Sequence, residues 1–161
     1  MPELPEVETA RKLATRALAG RRIVGVATVD DPIVYAGVSR RRLAAALRGR
    51  RVKAVGRKGK HLWLELDRRP WPAFHFGMSG SFRVYGPDAE RPRYWKLELQ
   101  TDDGARLALR DPRRLGRIRL LRDPARARAL ARAARALVER RYRWEDSAAG
   151  VEAAWRAAVG A

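Results

Sequence analysis

The sequence predicts an α+β fold that is mostly β: a sandwich or barrel entered through an N-terminal helix and followed by a short helical tail. Three observations predict it. One Gly- and Pro-free run near the start carries helical spacing, eight short apolar runs follow between turn signals, and the last forty residues are rich in Arg and Ala. The chain has 161 residues, and 46% hydrophobic content gives it enough apolar surface to offset chain entropy and form a core.

The elements follow in order. From Glu6 to Leu18, the residues Val7, Ala10, Leu13, Ala14, Ala17 and Leu18 share one helical face, and Gly20 marks the stop. Ile23–Val29, Val52–Val55, His61–Leu66, Ala73–Phe76, Ser81–Tyr85, Trp95–Leu99, Arg106–Leu109 and Arg117–Leu121 read as strands, with turns at Gly86-Pro87-Asp88 and Asp103-Gly104. Between the first two strands, Ser39 to Leu47 reads as a short helix with Ser39 as its cap. In the tail, Ala127, Leu130, Ala131, Ala134, Leu137 and Val138 form one helical face, and a second helix is expected after Asp146-Ser147 with Val151, Ala154, Trp155, Ala158 and Val159 at helical spacing. The expected division is a sandwich over 1–124 and a helical tail over 125–161.

Charge narrows the function. Lys and Arg number 36 against 18 Asp and Glu, a formal net charge of +18, and such a surplus seeks a polyanion. Lysine stands only at 12, 53, 58, 60 and 96, so arginine carries most of it, and a guanidinium forks phosphate oxygens better than an ammonium does. A GC-rich gene would give the same Arg and Ala bias. Cysteine is absent, which excludes a disulfide scaffold, a Cys-ligated zinc finger and thiol catalysis. No apolar run approaches the ~18 residues of a membrane span. The start is acidic and broken by prolines, unlike a secretory signal. A cytoplasmic, nucleoid-associated monomer without metal or other cofactor is expected. His61 and His75 read as packed strand residues, with no metal-ligand spacing.

The first eight residues, Met1-Pro2-Glu3-Leu4-Pro5-Glu6-Val7-Glu8, hold three carboxylates and two prolines. Two readings are open. The acids can complement the first helix N-terminus while Pro5 starts the helix. Alternatively, removal of Met1 frees Pro2 as a secondary amine; an α-amino group titrates at about 7.7–8.0 against about 10.4 for lysine, so it is a usable nucleophile at neutral pH. Attack on an aldehyde-level carbon would give an iminium with no N–H to lose, a lasting electron sink, and Glu3 beside it could move protons. Arg57 and Lys58 before Gly59-Lys60 read either as a solvated loop or as a phosphate-contact cluster. Met78 reads as core filler, or as part of a Gly77-Met78-Ser79-Gly80 turn whose glycines permit close approach of the backbone to another molecule.

Four stretches in order carry a resemblance: Met1–Glu8, Arg57-Lys58-Gly59-Lys60-His61-Leu62-Trp63-Leu64-Glu65-Leu66, Phe76-Gly77-Met78-Ser79-Gly80-Ser81 and Asp111-Pro112-Arg113-Arg114-Leu115-Gly116. Together they resemble the formamidopyrimidine-DNA glycosylase and endonuclease VIII family of base-excision repair enzymes, and their wording is most similar to the plant and fungal type of the formamidopyrimidine branch. The resemblance implies a two-layer antiparallel β-sandwich with the first helix carrying the catalytic terminus. It implies a glycosylase that removes oxidised purines (formamidopyrimidine, 8-oxoguanine) with AP-lyase strand cleavage, and double-stranded DNA with oxidised bases or abasic sites as partner. By the same resemblance Pro2 forms a Schiff base with C1′, Glu3 donates a proton to the leaving base, Glu6 is a supporting carboxylate, and Lys60 assists elimination and contacts phosphate. Met78, Arg113 and Leu115 would fill the space left by an extruded nucleotide. Arg114 would contact a phosphate, with Arg57, Lys58 and Arg93 as further DNA contacts, while Asp111 and Pro112 shape their loop. Leu115 stands where this branch usually has Phe. A complete family member continues into a helix-two-turn-helix domain and often a zinc finger, and neither is matched in this sequence. The alternative expectation is therefore a truncated DNA-binding remnant that binds through charge and cleaves weakly or not at all. Charge alone would also fit a non-specific RNA- or ribosome-associated protein, but the four motifs do not.

Overall fold

A computed structural model describes residues 2–35, 37–122 and 144–159. The elements are α1 (Leu4–Leu18), β1 (Ile23–Thr28), α2 (Arg40–Leu47), β2 (Val52–Lys58), β3 (His61–Leu66), β4 (Trp71–His75), β5 (Ser81–Tyr85), β6 (Trp95–Thr101), β7 (Arg106–Arg110), β8 (Arg117–Leu121) and α3 (Trp144–Val159). The chain divides into two compact units, Met1–Arg122 and Asp123–Ala161, and α3 is the described part of the second. The expected helical face from Ala127 to Val138 lies outside the described residues.

The first unit is α+β and mostly β, as expected: two four-stranded antiparallel sheets, ordered β1-β6-β7-β5 and β2-β3-β4-β8. Alternation drives the layering. In β3, Leu62, Leu64 and Leu66 are buried while the residues between them are more exposed, so one face of the strand is the core face. Each such fully buried leucine stabilises the fold by about 1.5–3 kcal/mol relative to exposure. Helix α1 packs on β2 and β3 of one sheet and on β5 and β7 of the other, covering the side where the edge strands β2 and β5 lie. Val7, Ala10, Ala14, Ala17 and Leu18 are its buried face. Ser39 caps α2, its side chain accepting the Arg42 N–H at 3.3 Å, so that Leu43 and Leu47 turn into the core.

Strands β1, β2, β6 and β7 end one to three residues from where the sequence reading put them, and three further elements differ for a local reason. Helix α1 starts at Leu4 rather than Glu6, with Glu3 as N-cap, because Pro5 falls in the first turn where its missing N–H costs nothing. Strand β4 runs Trp71–His75 and so includes Pro72. Its pairing with β3 ends at Ala73 while pairing with β8 continues to Trp71, leaving Pro72 on a locally unpaired edge that needs no donor. Helix α3 begins at Trp144, before Asp146-Ser147, since nothing in that stretch breaks a helix. Residues 151–158 of α3 are exposed, and Arg156 pairs with Glu152 one turn back at 2.7 Å.

Strand register sets where the loops fall. His61, His75 and Arg117 align at one end of the second sheet, and Ser81, Arg110 and Trp95 align at one end of the first. The short connections 76–80 and 111–116 pass from sheet to sheet there, so these are the same end of the sandwich. The β2–β3 turn with Lys60 opens at that end too.

Candidate active site

Each of the three N-terminal carboxylates has its own partner. Glu3 receives the Lys60 ammonium, with Nζ 3.0 Å from Oε1 and 2.9 Å from Oε2. Glu6 reaches back to accept the Glu3 backbone N–H at 3.0 Å, fixing the backbone at the helix start. Glu8 accepts from Arg11 and from Arg57 Nε at 2.8 Å, and these hydrogen bonds, Arg11's first, hold its carboxyl well below the usual range at about 2. The helix-complementing and reactive readings of this segment are therefore compatible: Glu6 caps, Glu8 ties α1 to β2, and Glu3 faces Lys60.

Pro2 and Glu6 line a cleft of about 460 Å³ together with Phe76, Met78 and Arg83. Met78 projects from the Gly77–Gly80 turn and is 49% exposed, which removes it from the core; Leu115 is 42% exposed on the neighbouring 111–116 loop. A buried carboxylate joins the two loops. Asp111 accepts from the Ser79 hydroxyl at 2.9 Å and from the Gly116 N–H at 2.7 Å, and the Ser79 oxygen accepts the Arg113 N–H at 3.3 Å. Asp111 thus shapes the loop, as the sequence implied.

Gly77 is the closest point of approach. Its φ is +60°, and a Cβ there would lie 2.4 Å from the Leu115 carbonyl carbon and oxygen. Gly77→Ala is expected to cost about 1–3 kcal/mol and to displace the 111–116 loop, since both the left-handed backbone and the backbone contact resist a methyl group. Denaturant unfolding checks it; a variant as stable as the parent would show that the two loops are not in contact.

The basic candidates divide by what already holds them. Arg57 is engaged by Glu8 and by the Gly59 carbonyl, and it ends β2 with Lys58 rather than lying in a loop. Lys58 and Arg113 are exposed. Arg93 is exposed over the Tyr94 ring at 4.8 Å, whereas its neighbour Arg91 forks Glu98 at 2.8 and 3.1 Å and covers Trp95 at 4.2 Å. The Asp111 N–H donates to the Tyr94 carbonyl at 3.0 Å, which places Arg93 beside the 111–116 loop. Arg114 is 48% exposed, yet its Nε and Nη2 both meet buried Asp31, at 3.0 and 3.2 Å.

Sequence reasoning read His61 and His75 alike, and the structure separates them. His61 is exposed; His75 is half-buried, and its Nδ1 accepts the Gly77 N–H at 3.2 Å. Burial first, then the charges of His61, Lys60, Arg117 and Arg119, push the His75 imidazole below its ordinary range. The signal was available: His61 and His75 are the facing ends of paired strands, next to Lys60 and Gly77. Among the described residues no group of three His, Asp or Glu could hold a metal ion, and no helix of the described residues is long and apolar enough to cross a membrane.

The family model of the formamidopyrimidine-DNA glycosylase N-terminal domain matches residues 1–118. The chain belongs to that family. A formamidopyrimidine-DNA glycosylase of Arabidopsis thaliana is 38% identical over 137 residues, covering 77% of this chain and 35% of the relative. That of Chloroflexus aurantiacus is 41% identical over 121 residues, covering 75% and 43%. Among solved structures, MutM in complex with DNA containing carbocyclic 8-oxo-G superposes with a TM-score of 0.72 at 27% identity, covering 81% of this chain and 48% of that one. A Lactococcus lactis formamidopyrimidine-DNA glycosylase bound to DNA containing N7-benzyl-Fapy-dG gives 0.72 at 25% identity, covering 81% and 48%. This family member therefore spans less than half the length of these four relatives.

Proposed function

We propose that this chain carries the reacting centre of a base-excision DNA glycosylase acting on oxidised purines, with AP-lyase cleavage through an N-terminal Pro2. The observation that carries the reading is the contact of Glu3 with Lys60 at 2.9 Å, Glu3 being the chain neighbour of Pro2, which lines the cleft. On this reading Pro2 supplies the nucleophile, Glu3 the carboxylate and Lys60 the ammonium, and Met78 lines the same cleft as Pro2.

Once Met1 is removed, the Pro2 nitrogen attacks C1′ of an open-chain abasic sugar, water leaves, and a cationic iminium forms. The cation draws electrons from C2′; a base takes a C2′ proton, the electron pair moves to form the C1′–C2′ enamine, and the 3′ phosphate departs. Water then hydrolyses the iminium and returns the free amine. Lys60 is suited to assist the elimination, its ammonium offsetting charge on the departing phosphate. On an intact nucleotide the amine displaces the base at C1′, and Glu3 supplies the proton the leaving base needs. That step first requires extrusion of the nucleotide, which costs a few kcal/mol of unstacking, and exposed Met78, Arg113 and Leu115 would enter the vacated space. Leucine at 115 wedges but stacks less well than phenylalanine, so the preference among lesions differs from that of Phe-bearing relatives.

Duplex DNA containing oxidised bases or abasic sites is the proposed partner, and Lys58, Arg93 and Arg113 are its proposed phosphate or base contacts beside the cleft. Affinity should fall with salt, log K against log salt having a slope of about −0.9 for each phosphate neutralised. A flat titration would remove the polyanion from the reading. The deciding experiment is borohydride trapping on duplex DNA with one abasic site, with mass spectrometry of the adduct. The expected product is a covalent complex at Pro2 with Met1 gone; no adduct, or an adduct on a lysine, would overturn it.

A further inference from the structure

Arg114 lies between Arg113 and Leu115, and its guanidinium is engaged by a buried carboxylate. Its backbone has a φ of 58°, a left-handed conformation that a non-glycine residue keeps only where its surroundings hold it. The hold is Asp31. The Arg114 Nε and Nη2 fork Asp31 Oδ2 and Oδ1, whose side chain is 2% exposed, and the same carboxylate takes Lys96 Nζ at 2.8 Å and the Val34 N–H at 3.2 Å. The Tyr35 hydroxyl donates to the Lys96 carbonyl, and the Ile118 N–H donates to the Val34 carbonyl at 2.8 Å. Asp31 therefore ties the segment between β1 and α2, the start of β6 and the 111–116 loop to one point. Burial alone would push the Asp31 carboxyl up, but hydrogen bonds from Lys96, Arg114 and Val34 outweigh it and hold the group at about 2.

Two anchors thus grip the loop from opposite flanks: Asp111 toward the Met78 turn, and Asp31 through Arg114. Arg114 is itself 48% exposed, and an ion pair on a buried carboxylate is weak evidence of stability, because desolvation offsets most of its attraction. Its geometry is better explained by what it fixes. We propose that Asp31 is a positioning residue: by forking Arg114 it sets the angle at which Arg113 and Leu115 meet the DNA base stack. It touches no substrate itself. The inference rests on the function proposed above, and it recasts Arg114 from a phosphate contact to the handle by which the loop is held.

The test compares Asp31→Asn with the parent on two abasic substrates, duplex and single-stranded, by borohydride trapping. A single strand offers no stack to enter, so loop angle does not matter there. The expected result is trapping slowed about tenfold or more on the duplex, unchanged rates on the single strand, and an unchanged salt slope. Equal effects on both substrates, or no effect on either, would overturn the proposal. Arg114→Lys keeps the charge but not the fork, and it decides the matter if Asp31→Asn does not fold: a comparable duplex loss is expected, whereas parental duplex trapping would mean that Arg114 serves only as a positive charge. Should the parent trap neither substrate, the proposed function fails first. Stack entry is then read without chemistry, from 2-aminopurine fluorescence beside a reduced abasic site, where both variants must still lose the parent's signal change.

Discussion

Pro2→Gly is expected to lose at least about a hundredfold in AP-site trapping and strand cleavage, the scale seen when a positioned nucleophile is degraded. The loss comes from two sources in this structure. Glycine offers a primary amine, whose Schiff base can shed its proton and with it the cationic electron sink that drives C2′–H removal. It also removes the ring carbons with which Pro2 lines the cleft, leaving the Glu6-to-Glu3 bond to hold the terminus. Quench-flow or gel assays of cleavage on abasic duplex, with salt-dependent binding measured in parallel, separate lost chemistry from lost affinity. Cleavage at the parental rate would remove Pro2 from the mechanism.

The second large effect is expected at Glu3→Gln, and it is selective. Removal of an intact oxidised base should fall by about 10²–10⁴, the usual contribution of a general acid or base, because a leaving base needs a proton and an amide cannot deliver one. Trapping at a preformed abasic site should fall far less, since the aldehyde is already exposed and only water must leave. The amide also releases Lys60 from its contact with the Glu3 carboxylate at 2.9 Å, so Lys60→Ala in the same background measures how much of the change passes through the ion pair. Equal losses on the two substrates would assign Glu3 to positioning alone.

Much of the sandwich was legible because its strands repeat at period two and their turns are marked by Gly, Pro and Asp: β3, β5 and β8 were read at the observed bounds. Pro72 hid the start of β4, since the rule that keeps proline out of inner strands applies per hydrogen bond and not per strand. At the site, neighbouring residues of the same type could not be told apart by sequence. Arg91 and Arg93 flank one proline, but only Arg91 is bound to buried Glu98; Arg113 and Arg114 are adjacent, but only Arg114 is bound to Asp31. Asp31 itself gave no signal, because its partners lie 65 and 83 positions away and only the folded topology brings them together.

The Asp111 bridge has a kinetic consequence. A wedge made of two independent loops would have to be ordered at each encounter with damaged DNA, and that lost freedom would be subtracted from every productive collision. Here Ser79, Arg113 and Gly116 are already joined through one buried carboxylate, so the freedom is surrendered once, when the chain folds. On the proposed function, a wedge built this way would meet each base step already ordered, with no separate loop-closure step.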